Sequence, residues 1–309
     1  MTFTTKTKKK RSSFSAWIQK ENVAGYVFSL PFIFGFLMFM VIPMGLSFYY
    51  SFCRYDIQTP TIWIGLGNYI EIFTDDPTFR KSLMVTCYYA LIGTPLKVIF
   101  ALIVALILNH ETRAVPIYRA TYYLPSIIGG SVAVAILWRR IFESNGTINA
   151  ILGNIFPFLQ GYNWFSEGPA IWVLILLTVW QFGSSMLIFL SALKQIPREL
   201  YEASYVDGAN GSKKFWRVTL PLLTPTIFFN LVQQTINSFL AFTQCKLITN
   251  GDPRKSTLFY TVYQYQKAFP AVGKSQMGYA SALAWIMLVI ISAVTAFLFW
   301  TRNKWVYED

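Results

Sequence analysis

Six long apolar runs constrain this chain more than any other feature of its sequence. Each run is long enough to cross a bilayer as a helix, since about 20 apolar residues span the hydrocarbon core. They cover residues 26–50, 82–108, 122–141, 170–193, 220–243 and 277–300. We therefore predict an all-α membrane protein with six transmembrane helices.

Composition supports this class. Of the 309 residues, 54% are hydrophobic and only 13% are charged, about half of what a soluble protein carries. The net charge of +12 lies between apolar runs and forms no continuous basic face, which argues against nucleic acid as a partner. The first run is too long for a signal peptide's central region and lacks a small-residue cleavage site, so we interpret it as a span.

The distribution of basic residues predicts the orientation. The segments on the predicted cytoplasmic side carry 15 Lys and Arg, those on the outer side carry 10, and Lys97 completes the total of 26. An excess of Lys and Arg marks cytoplasmic loops, so both termini are predicted inside. The outer segment 244–276, with five basic residues, opposes this bias.

The predicted organisation is a basic cytoplasmic tail (1–25), a six-span transmembrane domain (26–300), and a short cytoplasmic C-terminus (301–309). The transmembrane domain includes a polar cytoplasmic loop, 194–218. The tail lysines are predicted to contact anionic membrane lipid.

The polar loop has helical signals of its own. Pro197 is tolerated in a first helical turn, and a short helix is predicted from Glu199 to Asp207. Asp207 and Gly208 can end it, because glycine adopts the left-handed conformation without steric cost. Ser212 is a candidate cap for a second short helix. On spacing alone, an ordinary loop explains the stretch equally well.

A family resemblance changes that balance. The run Glu202-Ala203-Ser204-x-x-Asp207-Gly208-Ala209, followed by Val218-Thr219-Leu220-Pro221, resembles the EAA loop of binding-protein-dependent ABC import permeases. Ser204 and Val218 stand where alanine and isoleucine are usual. In that family the loop is a coupling helix that docks into the ATP-hydrolysing subunit. The resemblance implies these coupling residues: Glu199, Glu202, Ala203, Ser204, Asp207, Gly208 and Ala209.

Further runs resemble the sugar-permease branch of the same importers. They are Tyr118-Arg119-x-x-Tyr122-Tyr123-Leu124-Pro125, Trp138-Arg139-x-Ile141-Phe142, Gly146-x-Ile148-Asn149, Leu247-x-Thr249-Asn250-Gly251-Asp252-Pro253, Gly278-Tyr279-Ala280-Ser281-Ala282 and Trp305-Val306-Tyr307. The resemblance spans about residues 25–307, and it implies that the six-span domain is a permease of the bacterial cell membrane.

This resemblance implies the six-helix fold of a type I ABC importer permease, with a cytoplasmic coupling helix between spans four and five. It also implies a second homologous permease, two ATPase subunits that bind ATP and Mg, and an extracellular sugar-binding protein or lipoprotein. The implied substrate is a carbohydrate, most simply an oligosaccharide.

Polar side chains inside the spans indicate a substrate path. Asn230, Gln233, Gln234 and Asn237 recur at spacings of 3, 1 and 3, which places them on one stripe of a helix. Amides both donate and accept hydrogen bonds, which suits sugar hydroxyls. Trp180, Gln181 and Ser238 complete the candidate set. The alternative is that these amides join neighbouring spans by hydrogen bonds.

One charged residue lies in the interior of a predicted span, whereas Arg139 and Arg140 lie at the outer end of span three. Lys97 is a functional candidate because ionisable residues within a membrane are costly. The alternative is a side chain that snorkels or meets a backbone carbonyl.

The sequence holds no catalytic or metal-binding pattern. There is no HExxH or CxxC motif, the sole histidine is His110, and Cys53, Cys87 and Cys245 are predicted to pack as small apolar side chains. Gly273-Lys274-Ser275 lacks the glycine that a phosphate-binding loop requires five residues earlier. The chain is therefore predicted to bind no cofactor itself, and to be a transport subunit without enzymatic activity.

Two rival functions remain open. One is a permease for another solute class within the same importer family. The other is a passive or secondary transporter that works without an ATPase. The spans carry no acidic residue, which disfavours coupling to protons or sodium but leaves a passive pore possible.

Overall fold

The fold is described from a computed structural model, which covers residues 21–109 and 115–307. The predictions for residues 1–20 of the tail and for His110 lie outside the described residues. The helices, numbered in chain order, are α1 Glu21–Phe36, α2 Ile42–Ser51, α3 Gly67–Thr74, α4 Pro77–Leu108, α5 Val115–Ile128, α6 Val132–Ile141, α7 Thr147–Ile155, α8 Pro169–Trp180, α9 Gly183–Gln195, α10 Arg198–Val206, α11 Gly211–Lys214, α12 Leu220–Phe239, α13 Thr243–Ile248, α14 Tyr260–Ala268 and α15 Met277–Arg302.

Two of the spans contain short π-helical segments. Leu37–Val41 joins α1 to α2, and Phe215–Thr219 joins α11 to α12. In each case the helical path continues through the segment, as expected where neighbouring groups in a membrane bundle re-satisfy displaced backbone hydrogen bonds.

The number of membrane spans agrees with the prediction, but two spans are not continuous. Within the described residues, four helical stretches are long and apolar enough to cross: Phe28–Ser51, Pro77–Leu108, Gly211–Phe239 and Met277–Arg302. Counting each bent pair, α5 with α6 and α8 with α9, as one span raises the number to six. The prediction that 122–141 and 170–193 are each one continuous helix was therefore wrong.

The two breaks differ in sharpness. The axes of α5 and α6 meet at 98°, and those of α8 and α9 meet at 41°. At the first break, Gly129 and Gly130 interrupt the helix, and Ser131 then caps α6 by accepting a hydrogen bond from Val134 N–H at 3.3 Å. Sharp kinks arise at such glycine–serine sequences.

Helix α4 is the centre of the bundle. It packs against α8, α9, α12 and α14, and its buried face supplies residues to two apolar clusters. One cluster contains Tyr89, Leu174 and Tyr260, and the other contains Val98 and Phe189. The opposite faces of the spans expose large apolar side chains, as expected for a protein whose solvent is lipid.

Helix α15 closes the bundle beside α2, α12 and α14. Its first turn passes close to the chain after α2, where a Cβ on Gly278 would lie 3.0 Å from the carbonyl oxygen of Tyr50. Gly278 N–H donates to the Tyr55 carbonyl at 3.1 Å. This close approach requires glycine at the start of span six.

The segments between spans carry more structure than the sequence predicts. A two-stranded antiparallel ribbon pairs β1 (Cys53–Arg54) with β2 (Ile62–Trp63). Helix α7 lies in the segment 143–168, where turn signals and low charge in the sequence predict a loop. The amide of Asn149 anchors it by donating to the carbonyls of Ser144 and Tyr162 at 2.8 and 2.7 Å.

Candidate functional site

The polar loop between α9 and α12 forms the predicted helix. Helix α10 spans Arg198–Val206, within one residue of the predicted bounds. Pro197 lies at the N-cap position and not in the first turn. Gly208 adopts φ +70°, the left-handed conformation that favours glycine, so the predicted termination is confirmed.

The second short helix begins with a different cap. Asn210, and not Ser212, caps α11, and its side-chain oxygen accepts a hydrogen bond from Lys213 N–H at 2.9 Å. Asparagine and serine are comparable caps, so the outcome depends on where the turn after Gly208 ends. The prediction of Ser212 as the cap was wrong.

The coupling candidates divide between two faces of this loop. Ser204 is buried and Ala209 is half-buried. The Ser204 hydroxyl donates to the Tyr201 carbonyl at 2.7 Å, and the Ser204 carbonyl accepts from Ala209 N–H at 2.9 Å. The other five candidates are exposed: Glu199, Glu202, Ala203, Asp207 and Gly208.

A hydrogen bond joins α10 to the start of span five. The hydroxyls of Tyr201 and Thr219 lie 3.1 Å apart, and Thr219 is the last residue of the π-helical segment before α12. This bond connects α10 directly to the base of a membrane helix. The sequence did not single out Tyr201, although its four-residue spacing from Tyr205 marks both as helical neighbours.

The polar loop also exposes apolar side chains. Tyr205 and Val206 are 75% and 85% exposed at the end of α10, and Trp216 is 63% exposed nearby in sequence. Apolar side chains exposed among charged ones are typical of a docking surface.

The breaks in spans three and four meet at Gln181. The side-chain amide of Gln181 donates to the Gly129 carbonyl at 3.1 Å, and the backbone carbonyl of Gln181 accepts from the Ser126 hydroxyl at 3.0 Å. The same hydroxyl accepts from Ser184 N–H at 3.0 Å. These bonds satisfy backbone groups that both breaks leave without helical partners.

Trp180 lies beside the same junction. Its ring packs against Trp138 of α6 with centroids 5.6 Å apart, and the side chain is half-buried. Trp180 and Gln181 thus lie where two discontinuous helices meet, which is the kind of place where transporters bind substrate.

The amide stripe of α12 separates into buried and exposed positions. Asn230, Gln234 and Ser238 are buried, whereas Gln233 and Asn237 are exposed. Gln234 donates to the Ser185 hydroxyl at 3.1 Å, and the Ser238 hydroxyl lies 2.9 Å from that of Thr94. Gln234 and Ser238 therefore join α12 to α9 and α4, as the alternative interpretation holds for them.

Asn230 has a partly satisfied amide. Its nitrogen donates to the Thr226 carbonyl one turn earlier at 3.0 Å. Its side-chain oxygen is buried and has no hydrogen-bond partner within the described residues. Gln233 and Asn237, in contrast, present amides that are free to reach a solute or another subunit.

A buried cluster of one carboxylate and two tyrosine hydroxyls at the N-terminus of α4 was not predicted. Asp76 caps α4 by accepting from Thr78 and Phe79 N–H at 2.9 and 3.0 Å. Its second carboxylate oxygen accepts from the hydroxyls of Tyr263 and Tyr279. Burial acts to raise the pKa of Asp76, but these hydrogen bonds and the Lys267 charge outweigh it and lower the pKa below its ordinary value.

The cysteines pack as predicted. All three are free thiols, and Cys53 and Cys245 are fully buried. Burial raises the pKa of the Cys245 thiol to about 11, which keeps it protonated and unreactive. Over residues 21–109 and 115–307, no three His, Cys, Asp or Glu side chains are grouped to hold a metal ion.

Comparison with known proteins identifies this architecture. A helical multi-pass bundle with a short helix exposed between its fourth and fifth spans is the architecture of an import permease. The chain belongs to the family of binding-protein-dependent transport system inner membrane components, whose model matches residues 64–304. It is therefore a transport permease of a membrane, as the loop motif implied.

The relatives span almost the whole chain. The probable ABC transporter permease protein YesP of Bacillus subtilis (strain 168) is 52% identical, and the match covers 94% of each chain. The arabinooligosaccharides transport system permease protein AraP of the same organism is 30% identical over 93% of this chain and 90% of its own. MsmF of Streptococcus mutans, a multiple sugar-binding transport system permease protein, is 29% identical over 84% of this chain and 88% of its own.

A solved structure has the same fold. It is a chain of a bacterial ABC transporter involved in the import of the acidic polysaccharide alginate, with a TM-score of 0.76 at 23% identity. The match covers 94% of this chain and 98% of that one. A second structure of a bacterial alginate transporter, in complex with a pentasaccharide-bound periplasmic protein, gives a TM-score of 0.74.

Proposed function

We propose that this chain is one permease subunit of an ATP-driven importer and forms half of the pathway for a carbohydrate, most simply an oligosaccharide. The carrying observation is the exposed helix α10, which ends at a left-handed Gly208 and is tied to span five through Tyr201 and Thr219. The relatives whose names specify arabinooligosaccharides and multiple sugars support the substrate class.

The proposed assembly contains a second homologous permease, two ATPase subunits and an extracellular sugar-binding protein. ATP and Mg bind to the ATPases, and this chain hydrolyses nothing. The exposed side chains of Glu199, Glu202, Ala203, Asp207 and Gly208 contact the ATPase, whereas Ser204 and Ala209 shape the turn behind them.

In this proposal both termini and the segment 194–218 are cytoplasmic. The 15-to-10 bias of Lys and Arg supports that orientation. Closure of the ATPases displaces α10, and the Tyr201–Thr219 bond carries the displacement into α12. The spans then move as packed bodies, and the pathway opens alternately to each side.

The proposed substrate contacts are Trp180, Gln181, Gln233 and Asn237. The amides of Gln233 and Asn237 are exposed and match sugar hydroxyls in donor and acceptor character. Trp180 offers an aromatic face for a sugar ring. Gln234 and Ser238 lie behind them and hold α12 in place through interhelical hydrogen bonds, and the buried Asn230 bonds within α12.

The first experiment is affinity purification of the tagged chain from native membranes in mild detergent, followed by mass spectrometry. We expect to recover an ATPase, a second six-span permease and a sugar-binding protein. Recovery of the chain alone, or only with copies of itself, would instead favour a transporter that needs no ATPase.

A further inference from the structure

The strongest feature that the proposed function leaves unexplained is Lys97. It lies past the middle of α4, and its residue is only 9% exposed. It occupies the centre of a buried face of α4, between Gly93 and Ala101, one turn to either side. A lysine of the lipid-facing surface would reach for the headgroups, but Lys97 faces the interior of the bundle.

Nothing in the described part of the chain neutralises this cation. Across residues 21–109 and 115–307, Lys97 makes no hydrogen bond, ion pair or ring contact. None of the six apolar runs contains an aspartate or a glutamate. Buried lysines are almost always paired, and an unpaired one is costly, so a counter-charge from outside the described residues would stabilise Lys97.

The depth of Lys97 coincides with the proposed pathway. Thr94, three residues earlier on the buried face, lies 2.9 Å from the Ser238 hydroxyl of α12. Phe100, three residues later, packs edge-on against Phe182 at the break between α8 and α9, with centroids 4.8 Å apart. Three residues of helix rise by about 4.5 Å. Along the axis of α4, Lys97 therefore lies between the contact with Ser238 and the contact with the helix break.

One segment of the predicted outer side carries an excess of positive charge. The segment 244–276 has five basic residues and a single acidic one, Asp252, whereas the other outer segments together have five basic and six acidic residues. Of the five, Arg254 pairs with Glu167 of another outer segment. This excess is opposite to the usual bias of outer loops. A basic outer surface attracts an anion toward the mouth of a pathway, whereas a neutral sugar gains nothing from it.

We propose that Lys97 binds a carboxylate of the substrate during translocation, so that the imported carbohydrate is an acidic, uronic-acid-containing oligosaccharide. This inference rests on the proposed function and deepens it. The carboxylate pairs with the ammonium group when the pathway opens around α4, and the pair separates when the substrate leaves. No proton is transferred and no bond is broken.

The test varies the charge of the substrate and the charge at position 97, and it measures uptake. In the full importer, reconstituted in liposomes with its ATPases, second permease and binding protein, initial uptake of trigalacturonate is compared with that of its uncharged methyl ester. Wild type is measured beside Lys97→Met, which keeps the chain length and removes the charge, and Lys97→Arg, which keeps the charge. Lys81→Met, at an exposed position near the start of the same helix, controls for loss of a cation from α4.

We expect Lys97→Met to lower trigalacturonate uptake by at least about tenfold, which is the change expected when one charge-assisted hydrogen bond is lost. Lys97→Arg and Lys81→Met should retain most of that uptake. Any uptake of the methyl ester should change less than about twofold in all variants.

Several results would overturn the inference. Equal loss of acidic and neutral uptake in Lys97→Met means that the lysine is structural. Failure of Lys97→Met to assemble with the second permease, detected by co-purification, means that the partner supplies the acid. Import of sugar phosphates but not uronates by wild type, abolished in Lys97→Met, assigns the anion to phosphate.

The failure of the proposed function looks different. If the wild-type importer takes up only neutral oligosaccharides, the inference of an acidic substrate is wrong and the proposed importer function stands. If no saccharide tested is imported in an ATP-dependent way, both the inference and the proposed function are wrong.

Discussion

The side-chain amide of Gln181 donates a hydrogen bond to the backbone carbonyl of Gly129, and this bond joins the breaks of two membrane spans. Each break exposes backbone groups that lipid cannot satisfy. The Gln181 amide satisfies the Gly129 carbonyl at the first break, and the Ser126 hydroxyl bonds the Gln181 carbonyl and the Ser184 N–H at the second. Trp180 and Gln181 therefore lie at the meeting point of α5, α6, α8 and α9.

The first prediction concerns the two adjacent glycines at this junction. A Cβ at Gly129 would lie 2.6 Å from the Cδ of Gln181 and 2.5 Å from the Pro125 carbonyl oxygen, whereas a Cβ at Gly130 meets nothing within 4 Å. We expect Gly129→Ala to lower the thermal stability of the detergent-purified protein and to impair uptake, because Gln181 must move. Gly130→Ala is the matched control and should behave as wild type.

Overpacking of this kind costs about 1–3 kcal/mol, which corresponds to a lowering of Tm by several degrees. Equal Tm values for the two alanine variants would show that Gln181 adapts freely, and that the junction is not rigid.

A second prediction tests the coupling helix. Gly208→Val places a β-branched residue at φ +70°, a conformation that costs such residues about 1–3 kcal/mol. Glu202→Lys reverses an exposed charge on the same loop. We expect both variants to insert and to assemble with the second permease, but to lose most ATP-driven uptake.

The control for the glycine is Gly211→Ala. Gly211 is not in the left-handed region, and a Cβ there meets nothing within 4 Å. Uptake at the wild-type rate in both Gly208→Val and Glu202→Lys would contradict the coupling assignment.

The third prediction separates the two halves of the amide stripe. Asn237→Leu changes an exposed amide and should alter uptake or sugar selectivity while the Tm stays within about two degrees. Gln234→Leu removes the donor to Ser185 and leaves a buried hydroxyl without its partner, which costs about 1–3 kcal/mol. The main effect of Gln234→Leu should therefore be a lower Tm.

Transport and thermal unfolding of the same two preparations check this division. A large stability loss in Asn237→Leu, together with none in Gln234→Leu, would reverse the roles assigned to the two amides.

The fourth prediction concerns Asp76 and pH. Because the folded-state pKa of Asp76 is lowered, its carboxylate stabilises the fold above the ordinary aspartate pKa of about 3.9. That contribution is lost as the pH falls through the lower folded-state value. Asp76→Asn keeps a good helix cap but loses the charge that accepts from Tyr263 and Tyr279.

We expect Asp76→Asn to unfold at a lower temperature than wild type at pH 7, and the difference to shrink below about pH 4. The exposed neighbour Asp75, whose carboxylate accepts from the Thr74 hydroxyl, provides the control variant Asp75→Asn. A Tm difference that stays constant from pH 7 to pH 3 would show that ionisation of Asp76 does not stabilise the fold.

Much of the architecture could be predicted without coordinates. The lengths of the apolar runs determine which segments cross the bilayer, and Gly208 marks the end of α10 because only glycine adopts its conformation at little cost. The loop motif identified the family, since its residues lie close together in sequence. Helix α7 was missed because it is short and its anchor, Asn149, depends on carbonyls of Ser144 and Tyr162.

The roles inside the bundle could not be predicted in the same way. A stripe on a helix shows which amides share a face, but only the positions of α4 and α9 decide that Gln234 is buried and Gln233 is exposed. The cluster of Asp76 with Tyr263 and Tyr279 joins residues almost 200 positions apart, and no local pattern indicates it.

By itself the sequence determined six apolar spans, the short helix of the polar loop and the permease family, because hydrophobic length, turn chemistry and the loop motif are local properties. Only the tertiary structure decided that two spans are broken and joined through Gln181, which amides face inward, and that Lys97 has no counter-charge in the described chain. Those outcomes depend on which side chains from distant segments meet in a medium that leaves unpaired polar groups costly.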